Sequence, residues 1–253
     1  MVLVARRVRQ WLEPELYRII RSGDDGKVIP PLYKSNYPHT VAGRTPDLER
    51  IARFGPHVRH ILLQNRPSEE IGKILQLCPN VRNLAIWIIH GSCRHLVPIL
   101  EVLKSLRRLS FDPSYFFQDY YDDWKVPLDL PAFSRLTHLE IINASPHWKK
   151  WKKLASMHAL THLALAGIVD GALVERILKE CQHLELLVTF YLDKPSMDLQ
   201  IASKRDLRAV QLRSVTNHLE HWECGARGGE DFWVTAEKVK RQRIEERRPV
   251  CAR

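Results

Sequence analysis

The sequence predicts an α/β fold: a leucine-rich-repeat-like solenoid of about seven strand-helix units, with a parallel sheet on its concave side. Three observations predict it. A short pattern of apolar, two variable, apolar, one variable, apolar recurs seven times, the sixth copy departing with Thr189 in its last apolar slot. It reads VRHILL from Val58, VRNLAI from Val81, LRRLSF from Leu106, LTHLEI from Leu136, LTHLAL from Leu160, LELLVT from Leu184 and LRAVQL from Leu207. Successive copies start 23, 25, 30, 24, 24 and 23 residues apart, in or next to the period of leucine-rich repeats. Between copies the apolar spacing changes from strand-like to helical. A unit of this kind cannot bury its own apolar face, so its copies must stack.

The helices follow from the same spacing. SEEIGKILQLC places Ile71, Ile74, Leu75 and Cys78 on one face, and DGALVERILKEC does so with Leu173, Val174, Ile177, Leu178 and Cys181. Ser68 and Asp170 are candidate N-caps, and Pro79 stops the first helix. RHLVPILEVLK and HWKKWKKLASM fill the same slots less cleanly. Three segments result. Residues 1–55 read as a helical N-terminal segment, with two short helices in 2–20, a polar connector, and a helix begun at Thr45–Pro46. Residues 56–222 form the repeats. Residues 223–253 form a cap and a basic helical tail begun at Thr235, with only Val239 and Ile244 as an apolar stripe, so that most of the helix is solvated.

Composition narrows the function. The net charge is +10, which favours acidic partners. The five cysteines never stand at CxxC spacing, so neither a zinc site nor a disulfide framework is expected. Buried structural thiols in the cytoplasm or nucleus fit better. No apolar run is long enough to span a membrane.

Several strings resemble a known family. RRVRQWLEPELYRII resembles the closing part of an F-box region in a large family from mushroom-forming fungi. HVRHILLQN, SLRRLSFDPSYFF and LTHLEI resemble that family's degenerate repeats, and GARGGEDFWVTAEK resembles its C-terminal signature. The resemblance implies a substrate receptor of an SCF-type ubiquitin ligase, in which the F-box grips the adaptor and the repeats choose the target. Met1 lies where the last F-box helix would be, so binding of the adaptor is expected to be weak or absent in this form.

Enzyme chemistry is not indicated. GARGGED lacks the Gly-Lys-Ser/Thr of a phosphate loop, there is no G-x-S-x-G elbow, and no cofactor or metal is expected. His138 and His162 share one slot in adjacent repeats, which reads as a duplicated surface residue. The leading expectation is protein recognition on the concave face, where the variable slots point. These slots are His60, Leu62 and Gln64, then Asn83, Ala85 and Trp87, then Arg108, Ser110 and Asp112. They continue with His138, Glu140 and Ile142, then His162, Ala164 and Ala166, then Leu186, Val188 and Phe190, and end with Ala209, Gln211 and Arg213. Trp87, Arg108, Phe190 and Arg213 are the candidate anchors. Against Phe190 stands the alternative that the N-terminal connector or the basic tail folds over the face and buries it. Tyr120, Tyr121 and Trp124, in the longest interval, are further candidates. A nucleic-acid-binding module using the basic surface and tail is the alternative function.

Overall fold

The computed structural model describes residues 7–8, 11–12, 15–24, 28–29, 47–117 and 126–247. They form two compact units: one holds those up to 117 with 130–136, the other holds 126–129 and those from 137 onward.

In the first unit each repeat supplies a strand and a helix. Strand β3 (His60–Pro67) leads to α2 (Ser68–Leu77), β4 (Asn83–His90) to α3 (Leu96–Val102), and β5 (Arg108–Phe111) to the short α4 (Pro113–Phe116). The strands are parallel, with His60 opposite Asn83 and Asn83 opposite Arg108. The apolar slots fill the core: Val58, Ile61, Leu63, Val81, Leu84 and Ile86 are fully buried. After β5 a phenylalanine cluster takes the place of a long helix. Phe111 meets Phe116 edge-on with centroids 5.4 Å apart and stacks on Phe133 at 6.1 Å. Such pairs add to the area that the rings bury.

The N-terminal segment is not wholly helical, as the sequence reading had it. Ile19–Ser22 is a strand, β1, parallel to β3, and Val28–Ile29 is β2, antiparallel to β1. Ile19 and Ile20 are adjacent, β-branched and buried. Ile20 extends the apolar layer beside Ile61, while Ile19 lies beside His60 on the other face; a helix at this place would do neither. A helix, α1 (Leu48–Phe54), follows, capped by Asp47, whose carboxylate accepts from the Arg50 amide at 3.1 Å. Thr45 and Pro46, its expected start, lie outside the described residues.

The second unit repeats the plan. Strands β6 (His138–Ala144), β7 (His162–Gly167), β8 (Leu186–Tyr191) and β9 (Ala209–Arg213) are parallel in that order. Between them lie α5 (Trp148–Trp151), α6 (Gly171–Glu180) and α7 (Met197–Arg205). Two helices, α8 (His218–Ala226) and α9 (Phe232–Glu246), follow β9. Asp170 caps α6 as expected, accepting from the Leu173 amide at 2.8 Å. Cys78 and Cys181 are buried on the helix side, and burial pushes both thiols up to about 12.

Two details recur through the repeats. The eighth residue, counted from each first apolar slot, is left-handed in three of them: Asn65 (φ 57), Ile88 (φ 57) and Asn143 (φ 54). In the fifth repeat the same slot is Gly167 at φ 150, where a Cβ would meet the Ala144 backbone at 2.6 Å. Asn adopts the left-handed region at little cost and Gly freely, whereas β-branched Ile88 adopts it only under strain. The residue after the first apolar slot is often arginine, and it ties loops together. Arg59 donates to the Asn80 carbonyl at 3.3 Å; Arg208 donates to the carbonyls of Leu184 at 3.2 Å and Leu178 at 3.0 Å.

Candidate functional site

In the second unit the variable face of the sheet is covered by the chain's own last helix. Asp231, not Thr235, caps α9, accepting from the Val234 amide at 2.9 Å. Starting the helix there adds Phe232 and Trp233 to the face of Ala236 and Val239, and these four pack on Ala164, Leu186, Val188 and Val210. Phe190 lies in this contact, edge-on to Phe232 at 5.3 Å. It is therefore partly buried against the helix rather than fully open. His138 and His162 stack face to face at 4.1 Å, and both meet Trp233 edge-on, at 5.1 and 5.8 Å. His162 Nε2 lies 3.2 Å from the Glu237 carboxylate, which also holds Lys240 at 2.8 Å. Burial still holds the His162 pKa below its usual value, against the pull of Glu237. Glu140 stands half-buried on the same face, opposite Ala164.

The last strand departs from the expected register. Leu187 pairs with Ala209 and Val188 with Val210, a slip of one residue relative to the repeat pattern. Such a slip turns every side chain to the other face. Val210 and Leu212 thus join the contact with α9, and Gln211 and Arg213 leave the variable face for the helix side. The apolar surface of α9 is the physical reason: it rewards Val210 and Leu212 where Ala209 and Gln211 would offer little.

In the first unit the variable face carries His60, Asn83 and Arg108 in one row and Gln64 and Trp87 in another. The row between them is buried, with Leu62 and Ala85 at 0% exposure. Trp87 donates its indole N–H to Ser110 at 2.8 Å. Asp112, expected to meet a partner, is 3% exposed and caps α4, accepting from the Ser114 amide at 2.9 Å. Burial, with Arg18, Arg108, Arg82 and Arg59 nearby, lowers the His60 pKa to about 4. The imidazole is neutral at pH 7, and the positive potential of this row comes from arginine.

Several exposed apolar side chains lie at or near the C-terminal ends of the strands. In the second unit Ile168 and Leu192 stand at corresponding places beyond β7 and β8 and are 80% and 76% exposed; Met197, at the start of α7, is 69% exposed. In the first unit Ile88 is 37% exposed in its left-handed conformation. Sequence reasoning missed Ile88, Ile168 and Leu192, because the last patterned slot lies one or two positions before them. Tyr120, Tyr121 and Trp124 lie outside the described residues. Among the described residues there is no group of three or more side chains able to hold a metal ion, and no helix long and apolar enough to cross a membrane.

No protein-family model and no curated protein matches the chain. Among solved structures it is similar to a chain in the crystal structure of a TLR13–ssRNA13 complex, at 17% identity and a TM-score of 0.35. That likeness covers 57% of this chain and spans about a fifth (21%) of the other.

Proposed function

We propose that the chain is a protein-recognition scaffold, not an enzyme, and that its partner docks on the strand tips rather than on the sheet face. The exposure of Ile168 and Leu192, at corresponding places past the ends of paired strands, carries this reading. Apolar side chains grouped in the open mark interaction sites. Ile88 supports it in the first unit. A β-branched residue held at φ 57 is strained by about 1–2 kcal/mol, and strain of this kind collects at functional positions.

The narrower reading is a target receptor of an SCF-type ubiquitin ligase. It rests on the resemblance of RRVRQWLEPELYRII to the end of an F-box region. Val8, Trp11, Leu12 and Leu16, in that string, are all exposed. Binding of the ligase adaptor to the purified chain is expected to be weaker than about micromolar; tighter binding would contradict the expectation.

Nucleic-acid binding is the second reading, favoured by the arginines around His60. The basic tail favours it less. Lys238 pairs with Glu230, Lys240 with Glu237, and Arg243 donates to the Ala209 carbonyl. Salt separates the two readings. A partner purified with the chain should remain bound when salt is raised several-fold, whereas binding through phosphates should fall steeply.

A further inference from the structure

Four arginines stand at corresponding places, each one residue before a strand of the first unit: Arg18 before β1, Arg59 before β3, Arg82 before β4 and Arg107 before β5. Their backbones are joined in that order. The Arg59 amide donates to the Arg18 carbonyl at 2.8 Å, Arg82 to Arg59 at 2.8 Å and Arg107 to Arg82 at 2.9 Å. Neighbouring strands lie about 4.8 Å apart, so the row is about 14 Å long. Arg108 adds a guanidinium beside it. The charge converges: after burial, Arg18, Arg108, Arg82 and Arg59 are what hold the His60 pKa down to about 4. Like charges at facing places on adjacent strands repel, and the middle of the row has no counter-charge. Glu15 lies 3.5 Å from Arg18, but Arg59 donates to the carbonyls of Pro56 and Asn80, and Arg82 is exposed. Neither has a carboxylate partner among the described residues. The second unit is different. Its strands carry Thr137, Thr161 and Glu185 at this slot, and Arg208 holds its own Asp206 at 2.7 Å. The slot itself therefore does not require a bare arginine.

We propose that this row is a docking surface for a partner helix that carries acidic side chains along one face. The spacing decides the shape of the partner. On a helix, side chains three and four residues apart have Cβ atoms about 5–6 Å from one another, close to the step of the row. In an extended chain the side chains of one face recur about every 6.6 Å, and they fall out of step over four arginines. Arginine also matches carboxylates with two bonds at a time. A nucleic-acid strand fits less well. Strands bound without sequence preference stack their bases on open aromatic rings, and Tyr17, the ring beside Arg18, is already stacked on Phe54 at 4.4 Å. The inference rests on the protein-recognition reading and adds a charged surface at the ends of the strands away from Ile88.

The test titrates the full chain with three probes, following the His60 ring by NMR. One is an end-capped, alanine-rich helical peptide with four glutamates along one face. The second has the same composition with the glutamates spread around the helix, and the third is a single-stranded oligouridine. The one-faced peptide is expected to bind saturably and to raise the His60 pKa, because its carboxylates offset the arginines. The spread peptide should bind at least about fivefold more weakly. Arg82→Gln should weaken the one-faced peptide about tenfold, the loss of one charge-assisted contact, while its melting temperature stays level or rises as repulsion in the row is relieved. Lys149→Gln, the same loss of charge on the second unit, should bind as the wild type does. Equal binding of the two peptides, tighter binding of oligouridine, an unmoved His60, undiminished binding to Arg82→Gln, or a melting temperature several degrees lower in that variant would each overturn the proposal. None of these results bears on whether a partner docks on Ile168 and Leu192, which is read separately with the tip variants.

Discussion

Phe190 meets Phe232 edge-on, with ring centroids 5.3 Å apart and planes at 82°. This contact joins the sixth repeat strand to the last helix and closes the variable face of the second unit. A strip that reads as an apolar docking surface in the sequence is thus an internal one. Phe190→Asp should destabilise the protein by about 2–4 kcal/mol, through lost apolar contact and a charge placed against Phe232 and Leu212. Urea unfolding measures it. Unchanged stability would mean that α9 does not hold this face.

Ile88 offers the opposite test. It shares a repeat slot with Asn65 and Asn143, all near φ 55, and it alone is β-branched. Ile88→Asn should raise stability by about 1 kcal/mol, because Asn accepts the left-handed region. Ile88→Val, which keeps the strain, should bring no gain. If the tip serves a partner, Ile88→Asn also weakens partner binding while it stabilises the fold.

The pH dependence follows from His60. Its pKa falls from 6.5 to about 4 in the folded protein, so between these values the unfolded chain binds more protons than the native one. Stability is fully present above pH 6.5 and is lost as the pH falls toward 4. His162, shifted in the same direction, adds to the loss. His60→Gln should remove on the order of 2 kcal/mol of the decline between pH 7 and 4, less where solvent screens the site. A melting profile with unchanged slope in the variant would contradict the assignment.

Arg208 ties three pieces of chain together, through Asp206 and the carbonyls of Leu184 and Leu178. Arg208→Met should cost about 1–2 kcal/mol by leaving those carbonyls without their donor. Arg208→Lys should recover only part of it, since an ammonium cannot reproduce the fork. Equal stability of all three proteins in urea would show that the clasp is not a stabilising element.

The stacked units were legible because leucines at fixed slots have one use, burial on one side of a strand. The covering helix was not, and the reason is a single residue. With Thr235 as N-cap, Phe232 and Trp233 fall outside the helix and its apolar stripe is thin; with Asp231 as N-cap they complete it. The slip of β9 was hidden for the same cause. LRAVQL fits the repeat in one register, and only the presence of Trp233 and Phe232 makes Val210 and Leu212 the better pair to turn toward α9. Ile19–Ser22 was hidden by its neighbours, since Leu16, Ile19 and Ile20 suit a helical face as well as a strand. The strand tips lie past the last patterned position, where spacing says nothing about exposure.

The most direct measurement is the affinity of a purified partner for wild-type chain and for the Ile168→Asp/Leu192→Asp variant, with melting temperatures taken in parallel. Both side chains are more than three-quarters exposed, so the melting temperature should stay within a few degrees. The affinity should fall by about a hundredfold, the effect of losing two central apolar contacts. Undiminished affinity in a variant that folds normally would contradict docking at the strand tips.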